Sequence, residues 1–216
     1  MPRVRSFDLP HKALRNVIAQ FSFRLGSVDV TDPKQLESLK QLGEEMFGML
    51  KNHVNTENEH TLSHLETRAP GSGEHDRADH ERLEVIQDDL QYWINHLSGN
   101  ESPDEMHNLY LEFSRFHSEY LEHIFEEETV TEILLQKHFS DEELIQLRMS
   151  IMKEIEPQMM LLWLKYAVPA QREEQNIGLL SGFKTNAPAP VFEQVLAVIK
   201  SEMTSDAYQS LLTRLA

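Results

Sequence analysis

The sequence predicts an all-α protein: four long amphipathic helices alternating up and down as a bundle, followed by a carboxy-terminal helical extension. Three observations predict it. Apolar residues recur in steps of three and four over long stretches. Short breaks rich in Gly, Pro and Ser separate those stretches. Two of the stretches, finally, end in one and the same pattern, His-x-x-x-Glu, each with a lone histidine a helix earlier.

The elements follow in order. Asp8 and Pro10 mark the start of a first helix that runs to about Leu25, with Leu14, Ile18, Phe21 and Leu25 on one face and His11 at the head of that stripe. Asp32 caps a second helix with Pro33 in its first turn. Its face reads Leu39, Leu42, Met46, Met49, His53, Glu57, apolar first and ligand-like after, and it continues to about Glu66. Pro70-Gly-Ser-Gly73 breaks the pattern. A third helix spans about Asp76 to Leu97, with Leu83, Ile86, Leu90, Ile94 and Leu97 inward and His80 near its start. Ser102-Pro-Asp-Glu105 has the form of a capping box and opens the fourth helix. Leu109, Phe113, Phe116, Tyr120, His123, Glu127, Val130 and Leu134 form its stripe.

Beyond residue 139 the pattern is plainer. Ser140-Asp-Glu-Glu143 is a second capping box, opening a helix that Pro157 interrupts or kinks. Met159 to Tyr166 is strongly apolar and needs burial, and Asn186-Ala-Pro-Ala-Pro190 reads as a stiff linker before one or two short helices. Residues 140–216 hold no histidine and are assigned no chemistry; they read as a helical cap packed on the bundle or as an interface for a second copy or a protein partner.

Composition narrows the function. The chain has 216 residues, enough for a large core, and a net charge of −16, which argues against nucleic acid because phosphate binding needs clustered Lys and Arg. No apolar run approaches the ~20 residues that span a bilayer, and the amino terminus lacks the apolar core of a secretory signal, so a cytoplasmic location without membrane contact is expected. Cysteine is absent, which removes disulfides, thiolate metal sites and thiol nucleophiles together. Eleven histidines and many carboxylates remain, a donor set that suits iron, zinc or manganese.

Position then singles out six of these side chains. At i, i+4 an imidazole and a carboxylate stack on one helix face, as in His53/Glu57 and again in His123/Glu127. His11 precedes His53 by 42 residues and His80 precedes His123 by 43. One His-x-x-x-Glu pair arises easily by chance in an acidic helical protein, and any single histidine is more often an ordinary surface or core residue. Two copies on inward faces, with matched lone histidines, are another matter. In an up-down-up-down arrangement all six side chains arrive at the same end. Two bridging carboxylates and four terminal imidazoles hold two divalent metals a few ångströms apart and leave positions open for a small ligand. Phe116 and Tyr120, one to two turns from His123, would limit water there, and the Tyr120 hydroxyl could hydrogen-bond a bound oxygen species.

The other histidines read differently. His60 shares the face of His53 and Glu57 and is a candidate extra ligand. His64 shares it too, but lies ~10 Å beyond Glu57 at 1.5 Å per residue. His117 should face solvent, and His75, His96, His107 and His138 have no partner spacing.

His11, His53 with Glu57, His80, and His123 with Glu127 resemble the hemerythrin-like, His-His-Glu cation-binding domains, position for position over about residues 8–137. The resemblance implies two iron ions, ferrous or ferric, joined by an oxo or hydroxo bridge and by carboxylates, with zinc or manganese as alternatives. It also implies a function in binding O2, NO or peroxide, for sensing, detoxification or iron handling. Oxygen-carrying members place two histidines a turn apart on the third helix, where this chain has Asp76 and Glu84 on either side of His80. The six-ligand set is similar to that of iron-centre repair proteins, which carry a cysteine-containing leader. Rival readings are a di-iron oxidase or peroxidase acting on an organic substrate, and a helical bundle in which metal is only a staple.

Overall fold

The computed structural model describes residues 3–215. Among these residues all regular structure is helical, in nine helices. Helix α1 is Asp8–Ser27, and α2 is long, joining Pro33–Thr56, Glu57–Thr61 and Leu62–Arg68. Helix α3 is Glu74–Asn95, and α4 is again long, joining Pro103–Glu126, Glu127–Thr131 and Glu132–His138. Five shorter helices follow: α5 Asp141–Glu154, α6 Pro157–Ala170, α7 Glu173–Asn186, α8 Ala189–Glu202 and α9 Ser205–Leu215. No helix is long and apolar enough to cross a membrane.

Two compact units divide the chain. The first comprises the described residues up to Asp8 with Val17–Glu154, the second Leu9–Asn16 with the described residues from Ile155 onward. In the first unit, cross-links fix the helix directions. Lys40 donates to the Asn95 carbonyl at one end of α2 and α3, and Arg77 donates to the Asn58 carbonyl at the other. His75 bonds Glu126, while Arg82 bonds Glu119 a few turns away. Helix α3 therefore runs antiparallel to both long helices. Helix α1 opposes α4 in the same way: Phe7 meets Glu132 at its start and Phe21 meets Phe113 further along. Phe21 is fully buried, 4.7 Å from Phe113 and 6.2 Å from Phe47 between ring centroids, and it closes over Gly43, where a Cβ would stand 3.1 Å from the ring.

Local chemistry explains where helices begin. Asp32 accepts a bond from the Lys34 amide, and Ser102 and Glu105 form the reciprocal capping box. Ser140 and Glu143 form the same exchange ahead of α5. At α1 the cap is not local: Asp8 lies inside the first turn, and Glu132 of α4 instead accepts from the amides of Ser6 and Phe7. Between α3 and α4, Gly99 takes φ +88°, where a side chain would also meet the Val30 carbonyl at 3.0 Å.

The second unit has its own core, built on Leu164, Val168, Leu180, Val195, Ile199 and Leu211. Buried Asn176 donates to the Val168 carbonyl, and Asn16 to that of Tyr166. The apolar stretch from Met159 is half-buried at first and fully buried only at Leu164 and Tyr166. Pro157 begins a helix instead of kinking one, and the expected linker at 186–190 shrinks to two residues between α7 and α8. The reason is position: Pro157 and Pro190 fall in first turns, where the missing N–H costs nothing.

Truncating Phe21 to Ala should lower the unfolding free energy by about 3–5 kcal/mol, the usual cost of emptying a packed aromatic site. A loss below ~1 kcal/mol in urea denaturation would show that the Phe21–Phe47–Phe113 contact does not organise this core.

Candidate metal centre

Each long helix changes pitch at its carboxylate. Glu57 and Glu127 begin five-residue π-helical turns, in which the Leu62 amide donates to the Glu57 carbonyl and the Glu132 amide to the Glu127 carbonyl, five residues back. Such turns add one residue to the helix and are frequent at functional sites. The added residue rotates everything that follows. Thr61 and Leu65 on α2, and Thr131 and Leu135 on α4, take the inward positions. Val130, expected in the core, is 56% exposed. His60 and His64, expected on the ligand face, are turned off it: His60 Nε2 lies 3.3 Å from Glu154, and exposed His64 bonds the carbonyl of His60.

What remains inward is a dry cluster. His11, His53, Glu57, His80, His123 and Glu127 are all at most 4% exposed. Ligand atoms of His53, Glu57 and Glu127 lie within 4.8 Å of one another, as do those of His80, His123 and Glu127. Glu127 belongs to both groups. Its Oε1 is 3.4 Å from Nε2 of His80 and 3.4 Å from Nε2 of His123, while its Oε2 is 3.9 Å from Nε2 of His53. Glu57 Oε2 stands 3.4 Å from both His53 and His80. Nε2 of His80 and of His123 are buried without a hydrogen bond. Buried imidazole nitrogens and carboxylate oxygens converging at these distances are the donor set of a site that could hold metal.

A second layer orients the first. Nδ1 of His80 lies 3.0 Å from Asn58 Oδ1, which holds the ring proton there and turns the lone pair of Nε2 toward the carboxylates. Asp79 Oδ2 stands behind His123, 3.7 Å from its Nδ1. Asp76, a turn before His80, is buried and accepts a 2.6 Å bond from Thr131. Burial raises its carboxyl above the usual range, against the Thr131 bond and with the help of Glu127. The Tyr120 hydroxyl is buried without a hydrogen-bond partner, its ring edge-on to His123. Burial, and then the charges of Glu127 and Glu57, keep it protonated. Burial alone would lower His80, but its contacts with Glu127 and Glu57 prevail and push it up to about 10. The two carboxylates thus call for positive charge, as a proton or as a cation.

Comparison with protein-family profiles, curated proteins and solved structures gives no match for this chain.

Several supporting residues escaped the sequence reading. A repeat held the clue to Thr61 and Thr131: both copies read His-x-x-x-Glu-x-x-x-Thr, so the period of four runs on past Glu where an ordinary helix would step by three. Asn58 and Asp79 carry no such signal, since they act across helices. His75 is not partnerless: it bonds Glu126 and lies 3.8 Å from Asp79. His117 is half-buried beside Phe113, and burial lowers its imidazole.

The raised His80 value carries a pH signature. Its contribution to the stability of metal-free protein is complete below about 6.5, its ordinary value, and is lost as pH rises through about 10. Urea midpoints of chelator-treated protein should therefore fall between pH 6.5 and 10, and His80→Gln should flatten that fall. An equal slope in the variant would place the buried charge elsewhere.

Proposed function

We propose that the chain is a hemerythrin-like, non-heme di-iron protein that binds O2, NO or peroxide. In this reading residues 8–137 form an up-down-up-down four-helix bundle around two iron ions, and residues 140–216 form an extension. The observation that carries it is Glu127, whose two oxygens face two different groups of histidines. One carboxylate serving two donor groups is what a pair of cations requires. His11 and His53 would hold one ion and His80 and His123 the other, with Glu57 and Glu127 shared.

Iron in such a site supplies an electron-rich centre that takes a diatomic ligand and can change oxidation state. The protein's own residues set the conditions. Buried Tyr120 lies edge-on to His123, with buried Phe116 packed behind it, and in this reading the two limit water. Among the described residues the Tyr120 hydroxyl has no hydrogen-bond partner, and in this reading it donates to a ligand beside His123. Asp76 stands where oxygen carriers have a second histidine on this helix, and its carboxylate is committed to Thr131. Helix α3 thus offers one imidazole, which leaves more room for exogenous ligands than a carrier site has.

Protein reconstituted anaerobically with ferrous iron should contain two metals per chain by elemental analysis, and show NO-dependent visible bands. Glu127→Gln should lower the metal content of both groups, whereas His64→Ala should leave it unchanged. Colourless, redox-silent protein holding one metal per chain would overturn the di-iron reading.

Tyr120→Phe should retain metal and weaken NO affinity about tenfold, equivalent to roughly 1.4 kcal/mol, the scale of one buried hydrogen bond. An unchanged affinity in NO titration would remove the hydroxyl from the ligand pocket.

A further inference from the structure

A second cluster of metal-type donors lies on the surface between α3 and α4. Nε2 of His75 is 2.7 Å from Glu126 Oε2 and 3.8 Å from Asp79 Oδ2, and one ligand atom from each of the three residues falls within 4.8 Å of the others. His75 is exposed, Glu126 partly so, and Asp79 mostly covered. One imidazole and two carboxylates suit Mn2+, Fe2+ or Zn2+.

Two further observations set this cluster apart from an ordinary charged surface. The pocket that holds it has His123 as part of its wall, although His123 is only 2% exposed. That imidazole turns its Nδ1 toward Asp79 Oδ2, 3.7 Å away and beyond hydrogen-bond reach. Asp79 is also divided in its duties. Arg82 holds Oδ1 through two nitrogens, which leaves Oδ2 facing His75 on the outside and His123 on the inside. A single carboxylate oxygen therefore stands between the outer donors and the back of a buried one.

The electrostatics agree. Asp79, Glu119, Glu122 and Glu126 line this pocket against Arg82 and Arg115, and both arginines are already engaged with Glu119. The mouth is net negative, and a net-negative cleft concentrates cations from solution.

We propose that His75, Asp79 and Glu126 form an outer divalent-cation site through which metal reaches the buried cluster past His123. Its role in loading rests on the reading of that cluster as a metal centre; its ability to bind a cation does not. The His75–Glu126 bond closes the site in the metal-free protein, and an arriving cation displaces the proton between them.

The experiment has two arms on the full chain, wild type and His75→Ala/Glu126→Gln, whose substitutions are at exposed positions and spare the core. In the first, protein already loaded with diamagnetic Zn2+ and freed of excess is titrated with Mn2+ while the imidazole resonances are followed by NMR. His75 should broaden at Mn2+ concentrations that leave His96 and His107 sharp, and Asp79 resonances should broaden in the wild type but not in the double variant. In the second, Zn2+ uptake by metal-free protein is timed. The double variant should reach the same final content about tenfold more slowly. Equal broadening of all exposed histidines, or of Asp79 in both proteins, overturns the outer site. Selective broadening with equal uptake rates overturns the loading route. Selective broadening with no Zn2+ uptake in either protein overturns the buried centre, and the loading route with it, while the outer site stands.

Discussion

Two carboxylates buried within reach of the same imidazoles are the constraint on which the rest of this structure depends. Glu57 and Glu127 are both excluded from water, and both contact His80 at 3.4 Å. Negative charges so placed repel strongly in a medium of low effective dielectric, and each also loses its hydration. The fold can tolerate them only with positive charge among them. Protonated imidazole is one solution and a bound cation is another, because either sets positive charge between the carboxylates. The pull on His80 and the sharing of Glu127 are two expressions of that same demand.

The surroundings serve that demand at every level. The π turns begin at Glu57 and Glu127 and bring a threonine inward one turn later. Thr131 then engages Asp76, which ties α4 to α3 beside the cluster. Asn58 holds the far side of His80 by a hydrogen bond, and Asp79 stands behind His123 at 3.7 Å. Further out, Glu132 holds the start of α1, and Arg68 reaches from the end of α2 to Glu143 and to the His138 carbonyl. Helix ends and cluster are therefore secured by neighbouring turns of the same helices.

Much of this was legible before any coordinates. Apolar steps of three and four mark the helices, and the caps at Asp32, Ser102 and Ser140 lie where their side chains can reach free amides. The six-residue cluster was legible because helical periodicity converts spacing directly into a common face. Periodicity also caused the errors. It assumes a constant pitch, and the π turns break that assumption, which misplaced Val130, His60 and His64. Pro157 interrupts the helix as expected, while Pro190 misled because the same residue type ends one helix and begins another. Partners such as Asn58 and Asp79 stayed hidden because side-chain contacts across helices leave no interval in a sequence.

The clasp of Glu132 on Ser6 and Phe7 has a consequence in time. It joins residues 126 and 125 positions apart, so the start of α1 has no seat until most of the unit has been synthesised. At about 5–20 residues per second, a ribosome needs roughly 6–25 s to cover that distance. For part of this delay, the 66 residues from Glu57 to His123 or roughly 3–13 s, His53 and Glu57 exist without His123 and Glu127. A nascent chain thus passes through a period in which its donors are half a set, open to whichever cation is most abundant. The order in which the donors emerge, and not only their final geometry, bears on which cation such a cluster would meet first.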